Sequence, residues 1–155
     1  NSGKLVSLVR EEAKKKARQV QADVLLVDGP PGIGCPVIAS MTGADFLVLV
    51  TEPTLSGKHD IERVLQLAKY FNLPVSVVVN KWDINPAMTA EIEDLASTYR
   101  AHLLGRIRYD KAITQAQMEE KSVIELGESE VSKDIQIIWS QVQAIACSLH
   151  KGNTQ

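Results

Sequence analysis

Val75-Ser76-Val77-Val78-Val79-Asn80-Lys81-Trp82-Asp83-Ile84-Asn85-Pro86 decides the fold. Four valines broken only by Ser76 read as a short strand with apolar residues on both faces, since no polar residue alternates with them. The run stops at Asn80-Lys81-Trp82-Asp83, a polar loop. Asn85 then offers a helix N-cap, and Pro86 suits the first helical turn. Ile92, Leu95, Ala96 and Tyr99 lie on one face of the helix that follows. Strand, polar loop and helix in immediate succession make one unit of an α/β fold.

The same unit recurs on either side. Val24-Leu25-Leu26-Val27 is an apolar run ending at Asp28-Gly29-Pro30-Pro31-Gly32, and Phe46 to Val50 ends at Thr51-Glu52-Pro53. A weaker run, Leu103 to Ile107, ends near Tyr109-Asp110. Helical spacing fills the gaps: Leu5, Leu8, Val9, Ala13, Ala17 and Val20 first, then Ile61, Val64, Leu65, Ala68 and Phe71 behind Ser56 as N-cap. Asp110 is expected to cap a short helix to about Glu120, and Val131, Ile135, Ile138, Val142, Ile145 and Leu149 mark the last helix. The expected fold class is therefore α/β, a parallel sheet covered by helices on both sides in three layers. In such sheets ligands sit beyond the carboxyl ends of the strands.

Composition sets the outer limits. A chain of 155 residues is one ordinary domain, here 1–150 with a polar tail at 151–155. It is 45% hydrophobic and 23% charged, which fits a packed core and argues against disorder. A net charge of −2 is wrong for a general nucleic-acid binder. Cys35 and Cys147 make neither a disulfide framework nor a zinc site, and His59, His102 and His150 have no ligand spacing. Both cysteines are read as packing residues, and Trp139 as a core or interface residue. No apolar run reaches the roughly 20 residues of a membrane span, and no signal-peptide pattern is seen. A cytoplasmic protein with neither a membrane nor a nucleic acid as partner is the expectation.

The strand ends carry the chemistry. Asp28 follows an apolar run and precedes a glycine-rich turn. A carboxylate there can hold Mg²⁺, directly or through water, beside nucleotide phosphates. Gly29 and Gly32 let backbone N–H groups approach a phosphate. The local alternative is a tight turn that Asp28 caps. Asn80 can present its amide to a purine edge, and Asp83 can accept two hydrogen bonds from guanine. The alternative is a polar loop in which Asp83 or Asn85 caps the next helix. Thr51-Glu52-Pro53 can line a nucleotide or shape a partner surface. Trp82 is read as covering this site. Neither Ser56-Gly57-Lys58-His59 nor Ser2-Gly3-Lys4 meets the strand–G-x-x-x-x-G-K-[ST]–helix pattern of a phosphate loop.

Val-Leu-Leu-Val-Asp-Gly-Pro-Pro-Gly-Ile-Gly-Cys-Pro-Val (24–37), Leu-Val-Thr-Glu-Pro-Thr (49–54) and Val-Val-Asn-Lys-Trp-Asp (78–83) together resemble the MinD/ParA/Mrp superfamily of deviant Walker ATPases. The pattern is most similar to MinD-like members that carry an inserted ferredoxin domain with iron–sulfur clusters, the CobQ/CobB/MinD/ParA nucleotide-binding domains. The likeness runs from about Gly3 to Ile145. It implies a P-loop NTPase-like fold that binds Mg²⁺ and ATP and dimerises. Asp28 takes the magnesium role, through water. Gly29, Pro30, Pro31, Gly32, Thr51, Glu52, Pro53, Asn80, Lys81, Asp83, Arg108 and Tyr109 line the nucleotide, with Asn80 on adenine. Arg108 stands where the family pattern has proline.

In that family the first strand, the phosphate loop with its lysines and the ferredoxin insert lie upstream of these motifs. The resemblance is thus to a C-terminal half, an incomplete three-layer sheet with the nucleotide as ligand, a homodimer as expected assembly and the ferredoxin segment as a missing partner. It implies little or no hydrolysis by these residues alone, with iron–sulfur clusters only in the missing insert. Strands 24–27 and 46–50 then lack a shared neighbour, and are expected either to pair directly or to have the gap filled by another chain. Two other readings stand beside this one: a GTPase-like switch built on Asn80-Lys81-Trp82-Asp83, and a non-catalytic dimerisation or assembly module. The spacing Asp28-Gly-Pro-Pro-Gly32 is one residue longer than the usual GTPase Asp-x-x-Gly, which favours adenine.

Overall fold

The computed structural model describes residues 2–30, 32 and 34–152. Pro31, one of the expected nucleotide contacts, lies outside the described residues. The elements run α1 (Ser2–Gln19), α2 (Cys35–Met41), β1 (Leu47–Thr51), α3 (Leu55–Tyr70), β2 (Val75–Asn80), a 3₁₀ turn (Trp82–Ile84), α4 (Pro86–Thr98), β3 (His102–Ile107), α5 (Lys111–Met118), α6 (Val123–Leu126) and α7 (Glu130–Gly152).

Three strands form one parallel sheet in the order β1-β2-β3. Leu47 to Thr51 pair with Val75 to Val79, and β2 meets β3 from Ser76↔His102 to Asn80↔Ile107. The valines of β2 serve both faces, as their pattern requires. Val77 and Val79 join Ile61 and Leu65 of α3 and Ile92 and Ala96 of α4 in one core, while Val78 joins Leu104, Ile138 and Val142 of α7 in the other. Helices thus cover both faces and the expected three layers are present. On the α3 side, Val37 and Met41 of α2 close the core with Val64 and Ala68 over Leu47 and Leu49. A smaller cluster of Ala116, Val123 and Val131 joins α5, α6 and α7.

The β2–β3 register slips between Val77 and Val78, so Leu104 is the extra residue of a bulge. Gly105 follows it with φ +144°, and a Cβ there would stand 3.4 Å from Ile138. Glycine at 105 therefore serves both the bulge and the close approach of α7.

Four expectations need correction. Val24–Val27 is not a strand. It is irregular and exposed, with Leu26 73% exposed, and it does not pair with β1. An apolar run forms a strand only where a neighbouring backbone takes up its N–H and C=O groups. The N-cap of α3 is Thr54, whose Oγ1 accepts from Gly57 N–H at 2.9 Å, rather than Ser56. Cys35 and Cys147 are exposed, not packed. The last helix runs through Lys151 and Gly152, so the tail does not begin at 151.

Candidate functional site at the strand carboxyl ends

Because all three strands are parallel, Thr51, Asn80 and Ile107 end on the same side of the sheet. The polar residues after them meet there. Two contacts stitch the loops together, and a third ties the last of them to α7. Lys81 Nζ reaches Glu52 Oε1 at 2.7 Å, joining the ends of β1 and β2. Tyr109 N–H donates to Asp83 Oδ1 at 2.8 Å, joining the ends of β2 and β3. Arg108 grips α7, with Nε 2.7 Å and Nη2 2.9 Å from the Asp134 carboxylate and Nη1 3.4 Å from Glu130. Its backbone N–H also donates to Asp134, at 3.2 Å.

Local sequence explains each placement. Lys81 takes φ +54°, which turns the chain sharply out of β2 into the 3₁₀ turn. Asn85 Oδ1 accepts from Met88 N–H at 3.1 Å, so Asn85 is the cap of α4 and Pro86 fills its first turn. Thr89 is fully buried, with its hydroxyl 2.9 Å from the Trp82 carbonyl, and ties the turn to α4. The Trp82 ring lies under the Arg106 guanidinium, whose carbon is 5.1 Å from the ring centroid. Arg106 is itself held by two 2.7 Å hydrogen bonds to Glu93 of α4. On the β1 side Pro53 is buried, and Gly57 packs against the Glu52 carbonyl.

The ionisation of these groups follows their partners. The Asp134 carboxyl is held below the usual carboxylate range, chiefly by hydrogen bonding from the Arg108 side chain, against the opposing effect of partial burial. The Arg108 guanidinium is raised for the same reason, first by its hydrogen bond to Asp134. Asn80 is half-buried, and its side-chain amide makes no hydrogen bond among the described residues. It ends the middle strand of the sheet, between the loops that follow β1 and β3.

Of the residues singled out in the sequence, Thr51, Glu52, Pro53, Asn80, Lys81, Asp83, Arg108 and Tyr109 come together at this end of the sheet. Asp28, Gly29 and Gly32 belong to the separate exposed stretch before α2. Asp28 makes no side-chain hydrogen bond or ion pair among the described residues. Asp83 accepts from the Tyr109 backbone, and of the two residues read as possible caps of α4 it is Asn85 that caps it. Arg106, Glu93, Thr89 and Asp134 were not singled out, because their partners are distant in sequence and no local pattern marks them. A shallow depression at the opposite end of the sheet, lined by Leu65, Lys69, Pro74, Val75, Tyr99 and Arg100, has a volume of about 250 Å³. It gathers none of the singled-out residues. Among the described residues no cluster of three or more metal-ligating side chains occurs. No described helix is long and apolar enough to cross a membrane.

Comparison with known proteins fits this geometry. Residues 3–143 match the ParA family, described as NUBPL iron-transfer P-loop NTPase. An uncharacterized protein of Methanocaldococcus jannaschii is 34% identical over 84 residues, which are 54% of this chain and 29% of that protein. Among solved structures, the MinC:MinD cell division protein complex of Aquifex aeolicus aligns with a TM-score of 0.74 at 20% identity, over 90% of this chain and 59% of the other. The septum site-determining protein MinD complexed with Mg-ADP, from Pyrococcus horikoshii OT3, aligns with a TM-score of 0.66 at 21% identity, over 80% and 51% of the two chains. These structural likenesses speak to the fold. The chain spans less than two thirds of the length of each of these relatives. With strand order, layers and strand-end loops in place, the match over residues 3–143 makes this chain a member of the ParA family of P-loop NTPases.

Proposed function

We propose that the carboxyl end of the sheet is the base-reading side of a Mg·ATP site. The observation that supports it is the convergence of Thr51-Glu52, Asn80-Lys81 and Arg108-Tyr109, with the Asn80 amide unengaged at the end of the middle strand. Adenine is preferred to guanine in this reading because the spacing Asp28-Gly-Pro-Pro-Gly32 is one residue longer than the usual GTPase Asp-x-x-Gly. The solved relative with Mg-ADP supports a nucleotide of this class.

Asp28 is the carboxylate for magnesium in this reading. Mg²⁺ keeps several waters and is commonly held by one or two carboxylates together with phosphate oxygens. A single exposed carboxylate fits that demand only once a nucleotide supplies the rest. Phosphoryl transfer depends on cationic groups that neutralise the phosphates, and no phosphate-loop pattern occurs in this sequence. Hydrolysis and dimerisation therefore belong to an assembly in which another segment supplies that loop.

Saturation-transfer NMR with Mg·ATP and Mg·GTP tests the base-reading claim on this chain directly. Weak binding is expected, with saturation reaching the adenine protons more than the guanine proton, and with Asn80→Ala abolishing it. No transfer to either base, or transfer untouched by Asn80→Ala, overturns the reading.

A further inference from the structure

Trp82 follows Asn80 and Lys81 directly, and several elements converge on it. Its ring packs against the core that α3, β2 and α4 share. Arg106 of β3, the sheet partner of Val79, lays its guanidinium over the ring, with 5.1 Å between the guanidinium carbon and the ring centroid. Glu93 of α4 takes that guanidinium in a fork, Oε1 on Nε and Oε2 on Nη2, each at 2.7 Å. Thr89, one turn earlier on α4, donates to the Trp82 carbonyl at 2.9 Å.

Stability alone does not account for the fork. The Arg106 side chain is 43% exposed, and an ion pair open to solvent contributes little to folding. What the fork supplies is orientation. Two hydrogen bonds from one carboxylate fix the plane of a guanidinium, and a guanidinium so fixed holds the aromatic face it stacks on. The loop after β2 needs such a hold. Lys81 leaves the strand at φ +54°, a left-handed conformation that is costly for a residue with a side chain. The Lys81 side chain is tied by an exposed ion pair to Glu52, which is a weak tether.

We propose that Glu93 is a positioning residue for the nucleotide base, acting through Arg106 and Trp82 to set where Asn80 presents its amide. The inference rests on the base-reading role of Asn80 proposed above. Another carboxylate of the same helix supplies the contrast. Glu91 pairs with Lys58 of α3 at 2.7 Å, and neither residue bonds to residues 80–83 among the described residues.

The experiment compares the unaltered chain with Glu93→Gln and Glu91→Gln by amide NMR spectra, thermal midpoint and saturation transfer to Mg·ATP. Gln keeps the size of Glu but offers one acceptor oxygen in place of two, so the fork is lost. Glu93→Gln is expected to shift the amide signals of residues 80–83 and to cut saturation transfer to the adenine protons by at least about fivefold. Its thermal midpoint is expected to move no further than that of Glu91→Gln, which should leave loop signals and transfer unchanged. Transfer in Glu93→Gln equal to that of the unaltered chain overturns the inference and leaves the base reading standing. So does an equal loss in Glu91→Gln, which would mark a general loosening of α4. No transfer from the unaltered chain removes the base reading, and this inference with it.

Discussion

Gly57 has no room for a side chain. A Cβ there would press into the Glu52 carbonyl and stand 2.8 Å from Thr51 Oγ1, so the loop after β1 must move to admit it. Gly57→Ala is expected to destabilise by about 1–3 kcal/mol, read as a lowered thermal midpoint. The Arg108–Asp134 pair gives a pH signature instead. Asp134 titrates in the ordinary carboxylate range when unfolded and lower when folded, because Arg108 holds its charged form. Its contribution is therefore complete above the unfolded value and is lost as pH falls through the folded one. Asp134→Asn should lower the thermal midpoint at about pH 7, and the gap from the parent chain should close toward about pH 2. A gap that stays constant with pH would show that the pair does not act through charge. The roles of these two residues were not legible in the sequence, since Arg108 and Asp134 are 26 positions apart.

At the scale of elements, the sandwich of α3 and α4 over β2 carries the core. Ile92 is fully buried in it with Ile61, Leu65, Val77 and Val79. Ile92→Ala should cost about 2–5 kcal/mol in a denaturant titration. Thr54→Ala removes the side-chain cap of α3 and should cost about 1 kcal/mol. These elements were legible because their signals are local: valines on both faces of β2, Asn85-Pro86 at the start of α4, Asp110 before α5. The cap of α3 was placed two residues late because Thr54 and Ser56 are equally good cap residues, and only the Gly57 N–H contact separates them. Val24–Val27 was misread for a different reason. Its side chains resemble those of β2, but a strand also needs a neighbouring backbone, and no property of the run itself reveals whether one is present.

Across the whole molecule, order and burial are uneven. Among the described residues, ten of the twenty exposed large hydrophobics fall between Leu5 and Val50. Amide exchange should divide the chain accordingly. The β2 amides should be the slowest, and residues 23–30 should exchange close to the rate of an unstructured chain. Strong protection of 23–30 would show that this stretch is paired in solution. The gathering of strand-end loops was legible because parallel strands must end on one side. Which of their residues face a ligand and which brace one another was not, because the braces come from other elements. One of those braces has a practical consequence. The chain has only two tryptophans, and Trp82 lies in the turn directly after Asn80 and Lys81, beneath a guanidinium fixed by Glu93. With Trp139→Phe, the remaining indole becomes an optical gauge, and movement of the Asn80–Asp83 loop would be read as a change in its emission without any added label.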